Sequence, residues 1–156
     1  MKRGLTLAAL VILLDQIGKM LILDLMQPPR VIEILPGFNL VLAMNRGVSF
    51  SLFASHADSA PYLLSGLAVA VCAGLLWWLR RGDAPATAVG LVIGGALGNV
   101  IDRLRFGAVV DFLDVHWQTW HWPAFNVADS AISLGAALLV FDALFSHPHH
   151  GKMPPP

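Results

Sequence analysis

Two aspartates have the setting that acid–base chemistry needs. Asp111 lies in Val109-Val110-Asp111-Phe112, an apolar setting for an acid, and Asp129 lies in Phe125-Asn126-Val127-Ala128-Asp129, where a helix begins. Two carboxylates brought together near an apolar boundary cannot both ionise easily, so the pair shares a proton over a useful pH range. The ionised partner takes a proton from water while the protonated partner polarises a carbonyl, which permits peptide hydrolysis without a metal or a covalent intermediate. Asp129 also has a purely structural explanation. Asn126 serves as a helix N-cap, and an acid at the positive end of the macrodipole is favourable there. On spacing alone the structural explanation is the stronger for Asp129.

Other polar residues interrupt apolar runs. Asp15 and Lys19 are four apart on one helix face, acid first, which is the favoured orientation. Each costs roughly 2.5–3.5 kcal/mol inside a membrane span, so each needs a reason. An ion pair turned toward neighbouring helices and a direct role in a site are both admissible. Asn99 and Arg103 are likewise four apart, at the end of a glycine-rich run. An interfacial anchor explains Arg103 alone; the pairing with Asn99 points to a polar pocket. Gly90, Gly94 and Gly98 recur every four residues, which lets another helix approach closely. Asp24 and Asp142 lie near span boundaries, where solvation suffices.

The elements that must position these residues follow from composition. The chain has 156 residues, 56% hydrophobic and 13% charged, with a mean hydropathy of +0.68. A soluble domain carries about 25% charged residues. Ten basic and ten acidic residues balance, which argues against a nucleic-acid partner. The single Cys72 rules out an internal disulfide framework or a Cys-rich metal site and reads as a packing residue. Four stretches, about 4–25, 61–79, 84–103 and 128–146, are long and apolar enough to span a bilayer. The first follows Lys2-Arg3 but has no small-x-small cleavage site, so it is expected to be a retained helix. Lys2, Arg3, Arg80, Arg81 and Lys152 against Arg30, Arg46 and Arg105 favour both termini inside. Trp117, Trp120 and Trp122 suit an outer interface, and Trp77 and Trp78 an inner one. Between the spans, residues 27–60 hold a Pro36-Gly37 turn and an apolar run that suggest short strands. Residues 104–126 form a second outer segment. The expected organisation is one membrane domain, 1–146, and a flexible tail, 147–156, whose His147, His149 and His150 read as solvated.

Five motifs in order resemble lipoprotein signal peptidase, the signal peptidase II family of bacterial membrane aspartic proteases. They are Asp15-Gln16-x-x-Lys19, Asn45-Arg46-Gly47-Val48-Ser49-Phe50, Gly95-x-x-Gly98-Asn99-x-x-Asp102-Arg103, Val109-Val110-Asp111-Phe112 and Phe125-Asn126-x-Ala128-Asp129. Each is weak alone; together they cover the chain to about Phe145. The resemblance implies a mainly α fold, a four-transmembrane-helix bundle with a small extracytoplasmic β-cradle over about 30–56. It implies Asp111 and Asp129 as catalytic residues, with Asn45, Asn99, Arg103 and Asn126 lining or supporting the site and Asp15 and Lys19 helping to build it. The implied substrate is a diacylglyceryl-modified prolipoprotein, cut just before its lipidated lipobox cysteine in the bacterial inner membrane, near the outer face. Membrane lipids are the implied surroundings, globomycin the implied inhibitor, and no metal or cofactor is called for.

Rival classes explain less. A small transporter would account for intramembrane Asp15, Lys19, Asn99 and Arg103, but the spans show no inverted repeat. A serine protease built on Ser49 and His56 lacks a Gly-x-Ser-x-Gly elbow. A purely structural subunit leaves the paired carboxylates unexplained.

Overall fold

The computed structural model describes residues 1–47, 59–82 and 84–145. Its four helices, α1 (Lys2–Leu25), α2 (Ala60–Arg81), α3 (Ala86–Phe106) and α4 (Val127–Phe145), are each long and apolar enough to cross a membrane. α3 is the most buried of them and packs against the other three. Its glycines permit this. A Cβ on Gly94 would stand 2.8 Å from the Ala8 carbonyl oxygen of α1, and one on neighbouring Gly95 would strike the Ala128 carbonyl of α4. Backbones therefore approach α3 on two sides, as expected from small residues where helices cross in lipid. The outward faces are apolar: Leu14, Leu21, Leu63, Leu67, Phe141 and Leu144 are each at least 60% exposed. Surface of that kind suits contact with lipid rather than water. Cys72 fills a buried packing position beside Leu79, Val89 and Ile93.

Lys2 and Arg3 begin α1, while Arg80 and Arg81 end α2. These ends meet, because Gly4 packs on Leu79 and on the Ala86 carbonyl. The Arg81 guanidinium lies over the Trp77 ring at 4.0 Å. A four-stranded sheet occupies the opposite end, where α1 and α3 finish and α4 starts. Its strands, β1 (Ile32–Leu35), β2 (Phe38–Asn45), β3 (Val109–Trp117) and β4 (Trp120–His121), pair antiparallel in the order β1-β2-β3-β4. Phe112 of β3 packs with Ile22 and Met26 at the end of α1, which seats the sheet on the bundle.

The sheet differs from the expected cradle over 30–56. Among the described residues of that stretch the strands are β1 and β2; β3 and β4 come from the second outer segment, for which the sequence suggests no strands. The reason is physical. β2 and β3 are separated in sequence by two helices, and burial on both faces of Val109-Val110-Asp111-Phe112 hides the period-2 alternation that marks a strand. Residues 48–58, with Ser49 and His56, and the tail histidines lie outside the described residues. The third span runs on to Phe106, ending at Gly107 with φ +66°, a left-handed cap that glycine adopts without strain.

One irregularity decides which side chains meet. Leu40 opposes Leu113, yet Ala43 opposes Asp111, so β2 carries one extra residue against β3. Asn39 and Asn45 are six apart and would share a face of a regular strand. The extra residue puts them on opposite faces, Asn39 beside Asp114 and Asn45 beside Asp111.

Substituting Gly94→Val should overpack the α1–α3 contact and cost about 1–3 kcal/mol. Thermal unfolding of purified protein in detergent checks this. Gly74→Val, at a position where a Cβ meets nothing within 4 Å, should leave the midpoint in place.

Candidate active site

The site begins with a buried cation. The Lys19 ammonium is 2.8 Å from Asp15 Oδ2 and 2.8 Å from Asp102 Oδ2, and it donates to Asn99 Oδ1 at 3.1 Å. Its three N–H groups thus have three acceptors, as a buried ammonium requires. Asp15 and Asp102 are fully buried, and each holds a second element. Asp15 Oδ1 accepts the Ala128 N–H at 2.9 Å, one of the free amides in the first turn of α4. Asp102 Oδ2 accepts the Val110 N–H of β3 at 3.0 Å, and Gln16 Nε2 donates to Asp102 Oδ1 at 2.9 Å. Gly98 makes room for this cluster, since a Cβ there would lie 2.7 Å from Asp15 Oδ2.

Three asparagine amides then surround the two candidate carboxylates, and each has its orientation set by a donor on its oxygen. Lys19 is only a donor, so Asn99 turns Oδ1 to it and Nδ2 to Asp129 Oδ1, at 2.7 Å. Asn126 Oδ1 accepts the Asp129 N–H at 2.8 Å, which leaves Nδ2 to Asp111 Oδ1, also at 2.7 Å. Asn45 Oδ1 accepts the Gly47 N–H at 2.8 Å, and its Nδ2 donates to Asp111 Oδ2 at 2.9 Å. The Asn126 N–H also reaches Asp129 Oδ2, at 3.3 Å. Asn126 therefore does cap α4, as the spacing suggests, and through the same side chain joins Asp129 to Asp111. The capping and site roles coincide.

Burial pushes the Asp111 carboxyl up to about 6; the Asn45 and Asn126 hydrogen bonds pull it down, while the charge of Asp129 pushes it further up. Asp129 is half-buried and opens onto a cleft of about 340 Å³ walled by Trp122, Pro123, Phe125 and Ser133. Arg103 interacts electrostatically with Asp129, Asp102 and Asp111, yet its Nε is buried without a hydrogen-bond partner. A guanidinium in that position has a donor free for a carbonyl oxygen entering the site. Among the described residues no group of three His, Cys, Asp or Glu side chains is arranged to hold a metal ion.

The structure brings Asp15, Lys19, Asn45, Asn99, Arg103, Asp111, Asn126 and Asp129 to the sheet end of the bundle. Asp24 is exposed and outside the network. Gln16 and Asp102 belong to it as fully as Lys19, although the sequence motifs that contain them assign them no role. A signal existed for Asp102: an acid one residue before Arg103, at the end of an apolar span, needs a partner as much as Asp15 does. Asp114, Asn39 and His121 form a further polar group that no sequence spacing marks, because it spans three strands.

Comparison with known proteins gives a consistent result. The family model of Signal peptidase (SPase) II matches residues 7–145. The lipoprotein signal peptidase of Paraburkholderia phymatum is 47% identical over 143 residues, covering 90% of this chain and 86% of that protein. That of Aeromonas hydrophila is 47% identical over 150 residues, covering 92% and 89%. A bacterial membrane enzyme solved by the in meso method at 1.9 Å resolution superposes with a TM-score of 0.81 at 24% identity, covering 94% of this chain and 96% of that one.

Removing the cation should be costly. Lys19→Met leaves Asp15 and Asp102 buried together without a counter-charge, a loss of about 3–5 kcal/mol. Unfolding in detergent measures it. The double variant Lys19→Met with Asp102→Asn should recover part of the loss by removing one of the stranded charges.

Proposed function

Because the chain belongs to the signal peptidase II family, we propose that it is an aspartic endopeptidase of the bacterial inner membrane that frees diacylglyceryl-modified prolipoproteins of their signal peptides. Cleavage falls just before the lipidated lipobox cysteine. The observation that carries the reading is the pair of carboxylates joined by one asparagine, Asp129 facing a cleft and Asp111 buried behind it.

The chemistry follows from a shared proton. With Asp111 held up to about 6 by burial, the pair spends part of the pH range with one proton between two carboxylates. The ionised member takes a proton from water as its oxygen attacks the scissile carbonyl carbon. The protonated member gives its proton to the carbonyl oxygen, so a neutral tetrahedral diol forms. Collapse of the diol breaks the C–N bond, passes a proton to the leaving amine and restores the pair. Arg103, with its free Nε, supplies a hydrogen bond to the carbonyl that becomes the diol. Asn45, Asn99 and Asn126 hold both acids by amide donors, which favour a carboxylate over a bound cation at the same oxygens. A lipid-bearing substrate enters from the bilayer, and a site where spans meet a sheet suits that approach. The basic ends of α1 and α2 support a cytoplasmic position for that end, and so an outer position for the site.

Asp111→Asn and Asp129→Asn should each lower cleavage of a lipidated precursor by about 10²–10⁴-fold while the protein stays folded. Near wild-type cleavage by either variant would defeat the assignment. Unlipidated precursor should be a poor substrate, and globomycin should inhibit.

The pH profile tests the shared proton. Loss of the Asp111 proton charges both acids, so kcat/KM should fall as pH rises through about 6. The Asn45 hydrogen bond favours the ionised form, so Asn45→Ala should move this descending limb to higher pH. A limb that stays put or moves down would count against Asp111 as holder of the proton.

A further inference from the structure

The run His116-Trp117-Gln118-Thr119-Trp120-His121-Trp122 folds back on itself, with His116 opposite His121 and Trp117 opposite Trp120. Alternation of side chains across a strand then sorts the run into two faces. Trp117, Trp120 and Trp122 take one face, with Trp120 and Trp122 edge to face at 5.9 Å. The histidines take the other, stacked at 4.9 Å. Asp114, two residues before His116, is the diagonal neighbour of His121 on that face. His121 Nδ1 lies 2.9 and 3.0 Å from its two carboxylate oxygens, and Asn39 Nδ2 donates to Oδ2 at 3.0 Å. Asp114 is 5% exposed, so the contact is made largely out of water on the acid's side.

What this contact holds is the stretch that leads from β4 into the site. The Trp122 N–H donates to the Val115 carbonyl at 2.8 Å, and Phe125 exchanges hydrogen bonds with Leu113, so three steps of chain from Trp122 face two steps of β3. The ladder thus steps out of register by one residue just after Trp122, which lines the cleft beside Asp129. The His121–Asp114 contact is the side-chain tie immediately before that step.

Resting on the proposed activity, we propose that His121 and Asp114 are positioning residues that fix Trp122 as the apolar wall of the substrate cleft and so set how tightly the precursor is held. They touch neither carboxylate of the pair. The asparagines that orient Asp111 and Asp129 are anchored on Lys19, Gly47 and α4 instead. Loss of the tie should act on binding rather than on the chemical step.

The test is steady-state kinetics of the full chain with a lipidated precursor peptide. His121→Ala should raise KM about fivefold or more, equivalent to about 1 kcal/mol, with kcat within about twofold of wild type. Trp122→Ala should raise KM by a similar factor, and the double variant should be no worse than the more impaired single variant, since both act through one wall. His121→Asn, whose amide stands where Nδ1 does, should restore most of the wild-type KM. An unchanged KM in His121→Ala, a fall in kcat alone, additive effects in the double variant or no rescue by asparagine would each overturn the proposal. Wild-type protein that fails to cleave lipidated precursor would overturn the proposed activity itself, a result distinct from all of these.

Discussion

The junction of α1, α3, α4 and β3 depends on the Lys19 ammonium having three acceptors and no other use for its protons. Two of them, Asp15 and Asp102, belong to different helices, and each uses its remaining lone pairs on the backbone of the next element, α4 or β3. The third, Asn99, has its amide polarity imposed because an ammonium cannot accept. From there the direction of donation runs outward, from Lys19 to Asn99 to Asp129. A parallel path runs from the Asp129 N–H through Asn126 to Asp111. A buried ion cluster is weak evidence for stability, because desolvation offsets much of the attraction. Its use here is orientation: it sets the Asn99 amide on Asp129 and, through Asp15 and Asp102, ties down the backbones of α4 and β3 that carry the two acids.

Such a cluster can exist only where helices come close, and α3 supplies the closeness. Gly94 and Gly95 draw in α1 and α4, and Gly98 leaves the space that the Asp15 carboxylate occupies. The same small residues that make an efficient packing surface in lipid thus create a polar chamber at its end. Packing and site are two results of one glycine-rich face.

How much of this was legible in the sequence follows from the range of each interaction. Asp15–Lys19 and the Asn126 cap are local, spaced by four and three residues, and helical geometry alone brings them together. The four spans were legible because a bilayer sets their length. Pairings such as Lys19 with Asp102 or Asn45 with Asp111 join residues far apart in the chain, and no periodicity encodes them. β3 was missed for a related reason: a strand covered on both faces carries no alternation, and its acids break the apolar run that would otherwise mark it. The extra residue in β2 was illegible altogether, since it is defined only by the partner strand, yet it decides which asparagine reaches which aspartate.

Asp111 and Asp114 bring that point to the chemistry. They are three apart on one strand, so the backbone sends them to opposite faces. Asp111 is buried near Asp129, and burial together with that charge outweighs its two amide donors and pushes its carboxyl up to about 6. Burial also works against the Asp114 carboxylate, but hydrogen bonds from His121 and Asn39 more than offset it and hold its pKa below the ordinary value. One acid is thereby suited to keep a proton near neutrality, and the other to remain a fixed negative anchor. The difference comes from the environment on each face, not from the residue type. A single strand thus supplies a group for proton transfer and a group for placement, and the extra residue in β2 gives each the asparagine it needs.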